Sequence, residues 1–255
     1  MPASASPARK LAAIGAVLAL VVALVALAVA VGRTVENGRE TAAPAATAHT
    51  GPGQDDGQQK LYDDLARRTV RRTAGDPLAL GKPHAPVVLV EYADYQCSFC
   101  GRFSRETQPA LVKKFVDDGT LRIEFRNFPV FGADSERAAR AAWAAGRQGR
   151  FWQLHDVLYA KTRKGDALAE DKLVDMARTA GVPDLDAFRT DLDSPAAEQA
   201  LKKDQDEGYQ LGVQSTPSFL INSRPVAGAQ ESQVFEQAIE QAAKAARHGG
   251  AGVRK

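Results

Sequence analysis

Val87-Val88-Leu89-Val90-Glu91-Tyr92-Ala93-Asp94-Tyr95-Gln96-Cys97-Ser98-Phe99-Cys100 decides how the rest of this 255-residue chain is read. It opens as an apolar run, which predicts a strand buried on both faces. It closes on Cys-x-x-Cys, and these are the only two cysteines in the sequence. Gly101-Arg102-Phe103-Ser104 and the residues after them predict a helix, with Phe103, Leu111, Phe115 and Val116 for its inner face. Pro109 is expected to kink or divide that helix. The cysteines thus fall where a strand hands over to a helix N-terminus, where unpaired N–H groups and the positive end of the macrodipole favour a thiolate. Three residues apart in a first turn, they can close a short-loop disulfide and switch redox state.

Two other readings compete. A zinc site needs two further ligands, yet there is no second cysteine pair, and His49, His84, His155 and His248 are scattered. A purely structural disulfide is the stronger rival. A bridge closing so small a loop removes little unfolded-state entropy, which makes stability a poor reason for this spacing. The redox reading is preferred.

Outward from this stretch, length and composition allow one domain with appendages. A net charge of +2 gives no reason to expect nucleic-acid binding. Residues 1–10 are short and carry Arg9 and Lys10, and residues 11–32 contain no charge and are dominated by Ala, Val and Leu. At 1.5 Å per residue, about 22 residues span roughly 33 Å, enough for a bilayer core. A cleaved signal peptide is the alternative, with Ala28-Val29-Ala30 resembling a small-residue cleavage site, but its apolar region is usually shorter. A retained transmembrane anchor is therefore expected. Arg9 and Lys10 place the N-terminus in the cytoplasm and the domain on the extracytoplasmic side, as a single-pass protein of the cell membrane. Residues 33–59, rich in Ala, Thr, Gly and Pro, predict a flexible linker. Lys60 to Arg72 predict a short helix with Leu61, Leu65 and Val70 inward and the Arg67-Arg68 and Arg71-Arg72 pairs on a solvated face.

Beyond the cysteines, Leu121-Arg122-Ile123-Glu124-Phe125 alternates as a second strand should, and Asn127-Phe128-Pro129 would end it. Residues 133–212 turn helical and alanine-rich. Asp134 or Ser135 is expected to cap one helix, Gly181 and Pro183 to stop another, and Ser194-Pro195 to supply an N-cap with proline at N1. Pro217-Ser218-Phe219-Leu220-Ile221-Asn222 predicts a returning core strand, and Pro225-Val226-Ala227 a short edge strand. A closing helix is expected over 230–247, then a disordered tail at 248–255.

Gly75-Asp76-Pro77, Ala85-Pro86-Val87-Val88-Leu89-Val90-Glu91-Tyr92 and Asp94-Tyr95-Gln96-Cys97-Ser98-Phe99-Cys100 closely resemble the DsbA-like thiol–disulfide oxidoreductases. The resemblance is to the membrane-anchored or secreted branch found in Gram-positive bacteria, and it runs from about Asp76 to about Ala246. Further matches are Arg126-Asn127-Phe128-Pro129, Phe151-Trp152 with His155, and Thr216-Pro217-Ser218-Phe219. The resemblance implies an α/β thioredoxin-like fold over 60–247 with a helical insertion at about 133–212. It also implies Cys97 as the attacking cysteine and Cys100 as its resolving partner. Thr216-Pro217 matches the family's cis-proline position; an ordinary trans proline opening a strand is the commoner X-Pro arrangement.

Glu91, six residues before Cys97, matches an acidic position of the family. Buried, it would be protonated and able to exchange protons with Cys100; at the rim it would be an ordinary carboxylate. Ser98, Phe99, Tyr95 and Thr216 are candidate substrate contacts, although Tyr95, Phe99 and Phe219 equally suit a core. His155 is expected to be a packed structural histidine. The chain carries no nicotinamide or flavin fingerprint, so the cysteine pair itself is the expected redox centre, without a cofactor or metal. The expected activity is introduction of disulfides into secreted or cell-envelope proteins. Isomerase or reductase action, or a tethered chaperone with a structural disulfide, are the alternatives. The partners implied are reduced, unfolded secreted proteins and a quinone-linked membrane reoxidant of the DsbB or vitamin-K-epoxide-reductase type. Ser98-Phe99 lacks the histidine that the best-known oxidase of the family carries between its cysteines, so a weaker thiolate stabilisation is expected.

Overall fold

A computed structural model describes residues 57, 60, 63–65, 67–222 and 224–251. The first ten residues, the anchor expected at 11–32 and most of the linker lie outside them. Among the described residues no helix is long and apolar enough to cross a membrane. Gly57, read as linker, is helical, as are Lys60, 63–65 and 67–69.

The apolar run folds as predicted. β2 (Val87–Ala93) is buried at every position and lies at the centre of a five-stranded sheet ordered β1-β3-β2-β4-β5. β3 (Leu121–Asn127) pairs with it in parallel, Leu89 opposite Ile123 and Glu91 opposite Phe125. β4 (Ser218–Ile221) pairs on its other side, antiparallel, with Glu91 opposite Phe219. β1 (Ala79–Leu80), too short to carry a periodic signal, adds to β3. β5 (Arg224–Ala227) forms the edge beyond β4, where Pro225 costs no ladder donor.

The segment joining β2 to β3 is helical without a break from 98 to 116, so Pro109 does not divide it; the helix changes to π geometry in the turn before the proline. α1 (Ser98–Arg102) continues into a π-helical turn (Phe103–Thr107), then α2 (Gln108–Leu111) with the proline in its first turn, then a second π-helical turn (Val112–Val116). Phe103, Leu111 and Phe115 pack under it with Val87, Leu89, Phe219 and the closing helix. The insertion between β3 and β4 comprises α3 (Ala133–Arg147), α4 (Phe151–Tyr159), α5 (Glu170–Thr179), α6 (Leu185–Leu192) and α7 (Pro195–Gln210). Ser194 caps α7 as expected, its hydroxyl accepting from the Ala197 N–H at 3.1 Å. The expected cap of α3 is wrong. Its N-cap is Gly132, without a side-chain bond, because Ser135 is turned inward to Asp94. α8 (Ser232–Ala251) runs four residues past its expected end, so 248–251 are helical rather than tail.

The polar residues of β3 hold the largest departure from expectation. Arg122, Glu124 and Arg126 are all buried. The Glu124 carboxylate accepts from Arg122 Nε (2.8 Å), Arg126 Nη2 (2.8 Å) and the backbone N–H groups of Arg71 (3.0 Å) and Arg72 (2.8 Å). Arg71, assigned to a solvated face, instead pairs with Asp204 and Glu207, each at 2.8 Å. Glu207 also accepts from the Tyr92 hydroxyl (2.7 Å) and from Arg126 Nε (2.9 Å). α7 comes close enough for this because Gly208 lies against Phe128; a Cβ there would stand 2.6 Å from the ring. The network fastens residues 69–73 to β3 and α7, which makes the segment before the cysteines part of the folded domain.

Candidate active site

β2 delivers the chain through Asp94-Tyr95-Gln96 to Cys97, which is the N-cap of α1. Its Sγ accepts from the Cys100 N–H at 3.3 Å, using one of the helix's unpaired donors. Both cysteines are free and lie side by side in chemically different surroundings. The Cys97 thiol is lowered to about 6. The chief cause is hydrogen bonding from the Cys100 side chain; burial opposes it, and Thr216 and the first-turn N–H groups reinforce it. Cys100 is fully buried, and burial pushes its thiol far up, with the Cys97 sulfur adding to the effect. One sulfur is therefore a thiolate at neutral pH while its neighbour remains a thiol.

Thr216 and Pro217 come in from the chain segment before β4. The peptide between them is cis, matching the arrangement the resemblance implies. The Thr216 carbonyl lies 3.3 Å from Cys97 Sγ and accepts from it while that sulfur is a thiol, and Pro217 is buried, its carbonyl accepting from the Gly228 N–H. Glu91 is the buried alternative of the two considered. It is 0% exposed, flanked in register by Phe125 and Phe219, and neither carboxyl oxygen has a hydrogen-bond partner. Burial first, and the Cys97 charge second, raise it to about 8, so it stands beneath the cysteines as a neutral acid at pH 7.

Of the candidate substrate contacts, Ser98 and Phe99 are exposed, Phe99 by 56%, with the Arg102 guanidinium 5.1 Å from its ring centroid. Tyr95 is not a surface residue. It is buried, stacked on Phe125 and tilted against Tyr159, because the loop turns its ring under the cysteines and into the helical insertion. His155 is packed among Tyr95, Phe125, Phe151, Trp152 and Tyr159. Its Nε2 lies 3.2 Å from Ser104 Oγ, and burial lowers it to about 3, leaving it neutral. Sequence reasoning missed Asp94, which ties the cysteine loop to the turn after β3. It also missed Val130 and Phe131 on that turn, exposed by 38% and 57%. An apolar pair between Pro129 and Gly132 was the available signal.

A thiolate and a buried thiol at a helix N-terminus, with a backbone carbonyl beside the outer sulfur, can attack a peptide's disulfide and, once joined as a disulfide themselves, be attacked by a peptide's thiolate. Comparison with known proteins agrees with that chemistry. The family model described as thioredoxin matches residues 73–241. A probable disulfide bond formation protein D of Bacillus cereus is 33% identical over 150 residues, covering 56% of this chain and 69% of that protein. The Na(+)/H(+) antiporter NhaA 3 of Salinispora tropica is 33% identical over 172 residues, 66% of this chain but 25% of that protein. The crystal structure of oxidised BdbD from Bacillus subtilis superposes with a TM-score of 0.62 at 27% identity, covering 67% of this chain and 94% of that one. Fold, matched family model and relatives converge: the chain belongs to the DsbA-like family of thioredoxin-fold thiol–disulfide oxidoreductases.

Proposed function

We propose that this chain is an extracytoplasmic oxidase that introduces disulfides into secreted or cell-envelope proteins through Cys97 and Cys100. In this reading residues 11–32 anchor it in the cell membrane, and the pair itself is the whole redox centre. The observation that carries the direction is the thiolate at Cys97, lowered to about 6 at the helix N-terminus. Stabilising one thiolate stabilises the reduced pair and makes the disulfide a better oxidant.

A substrate thiolate attacks Cys97 Sγ of the enzyme disulfide, forming a mixed disulfide and releasing Cys100 as the leaving sulfur. Glu91, neutral at pH 7, is the nearby acid able to supply that sulfur's proton. A second substrate thiolate then attacks the substrate sulfur of the mixed disulfide and expels the Cys97 thiolate. Two electrons pass from the substrate dithiol to the enzyme, and the substrate leaves with one disulfide. Exposed Ser98 and Phe99 and the Thr216 carbonyl line the approach to Cys97 and serve as the substrate contacts. The reduced pair must then return its electrons to a disulfide-bearing membrane protein, for which a quinone-linked reoxidant of the DsbB or vitamin-K-epoxide-reductase type has the required chemistry.

Refolding of a reduced substrate with several cysteines tests the direction. The pre-oxidised protein is expected to oxidise it stoichiometrically without added oxidant. If activity instead requires prior reduction of the pair, the protein is an isomerase or reductase and the oxidase reading fails.

A further inference from the structure

Asp94 stands three residues before Cys97, is 1% exposed, and uses both carboxylate oxygens twice. Oδ1 accepts from the Gln96 N–H (2.7 Å) and the Ser135 hydroxyl (2.7 Å). Oδ2 accepts from the N–H groups of Val130 (2.6 Å) and Phe131 (3.2 Å). The Gln96 amide closes the ring, donating to Ser135 Oγ at 2.9 Å and to the Phe131 carbonyl at 3.2 Å. One side chain thereby binds the cysteine loop, the turn after β3 and the first turn of α3. The Asp94 carbonyl faces the other way, accepting from the Cys97 N–H at 3.0 Å and the Tyr159 hydroxyl at 3.0 Å.

Cys97 thus hangs from the Asp94 carbonyl, and the orientation of that carbonyl is set by the carboxylate on the same residue. We propose that Asp94 is a positioning residue for the redox pair, holding Cys97 at the N-cap where its sulfur meets the Cys100 N–H. Asparagine cannot replace it at this place. An amide has one oxygen for four donors, and its NH2 would face either the Gln96 N–H and Ser135 hydroxyl or the two N–H groups of the turn. A buried acceptor lost in this way leaves the donors unpaired and the loop free to shift.

The sign of one measurement separates positioning from charge. Removing a nearby negative charge makes a thiolate easier to form, so a purely electrostatic Asp94 would give a lower Cys97 titration midpoint on Asp94→Asn. Loss of the N-cap geometry removes the donors that stabilise the thiolate and moves the midpoint up. Thiolate absorbance of the reduced protein, titrated against pH, is expected to shift upward by about one unit in Asp94→Asn, with alkylation of Cys97 at pH 6 slowed several-fold. An unchanged or lowered midpoint in a folded variant, even one with reduced thermal stability, overturns the proposal. If Asp94→Asn does not fold, Ser135→Ala carries the test by deleting one donor to Oδ1. A smaller upward shift supports the positioning role and an unchanged midpoint refutes it. Neither readout depends on whether the protein runs as oxidase or isomerase.

Discussion

Glu124→Gln is expected to destabilise the domain by about 3–5 kcal/mol, the cost of breaking a buried charge cluster from one side. The carboxylate is the meeting point of two guanidinium groups and two consecutive backbone N–H groups, and its side chain has no exposed surface. The amide would leave Arg122 and Arg126 buried without their shared counter-charge and turn an NH2 group towards donors. Burial alone would raise the Glu124 acid, but the bonds from Arg122, Arg71 and Arg126 outweigh it and hold it at about 2. A carboxylate lowered on folding adds stability above its unfolded value of about 4.5, and that stability is lost as pH falls through about 2. Urea unfolding should therefore show the wild type losing more stability across this interval than the variant, whose remaining loss comes from other carboxylates lowered on folding, such as Glu207. A variant within about 1 kcal/mol of wild type would mean that the network contributes no more than an exposed ion pair does.

The two single cysteine variants are expected to differ in kind rather than degree. Mixed with oxidised glutathione, reduced Cys100→Ser should take up one glutathione on Cys97 and retain it, since the resolving thiol is gone. Wild type should pass through the same adduct and end with the intramolecular disulfide, two electrons having gone to the glutathione disulfide. Cys97→Ser should form the adduct at least about a hundredfold more slowly, because the remaining sulfur is buried and held as a thiol. Whole-protein mass measurement under non-reducing conditions distinguishes the three. A stable adduct on Cys97→Ser matching that on Cys100→Ser would exchange the roles of the two sulfurs.

The parts of this fold that were legible in the sequence are those decided by neighbours along the chain. The run 87–93 reads as a strand, Ser194-Pro195 as a helix start and Pro225 as an edge residue, and all three are so placed. The Cys-x-x-Cys placement followed from the strand-to-helix handover, and the cis Thr216–Pro217 bond followed from the family resemblance alone. What was hidden depends on partners far away in sequence. Arg122, Glu124 and Arg126 look like the wet face of a strand until Glu207, Thr69 and the 71–72 backbone arrive to satisfy them. Ser135 reads as a helix cap until Asp94, 41 residues earlier, claims its hydroxyl. Tyr95 beside an active-site cysteine suits either a substrate contact or the core, and only the position of the insertion over the loop decides for core. Glu91 could not be placed as buried or rim from its strand alone, since that depended on which strands flanked β2.

Reduced protein, briefly alkylated at pH 7 and mapped by peptide mass while the thiolate absorbance is titrated, tests the asymmetry on which the whole mechanism rests. The Cys97 thiol is lowered from 9.0 in the folded state, so its thiolate adds stability to the reduced fold above about pH 9, and that contribution is lost as pH falls through about 6. A titration midpoint near 6 and a single label on Cys97 are expected, with Cys100 unmodified until the protein is unfolded. First labelling of Cys100, or a Cys97 midpoint near 9.0, would contradict that asymmetry.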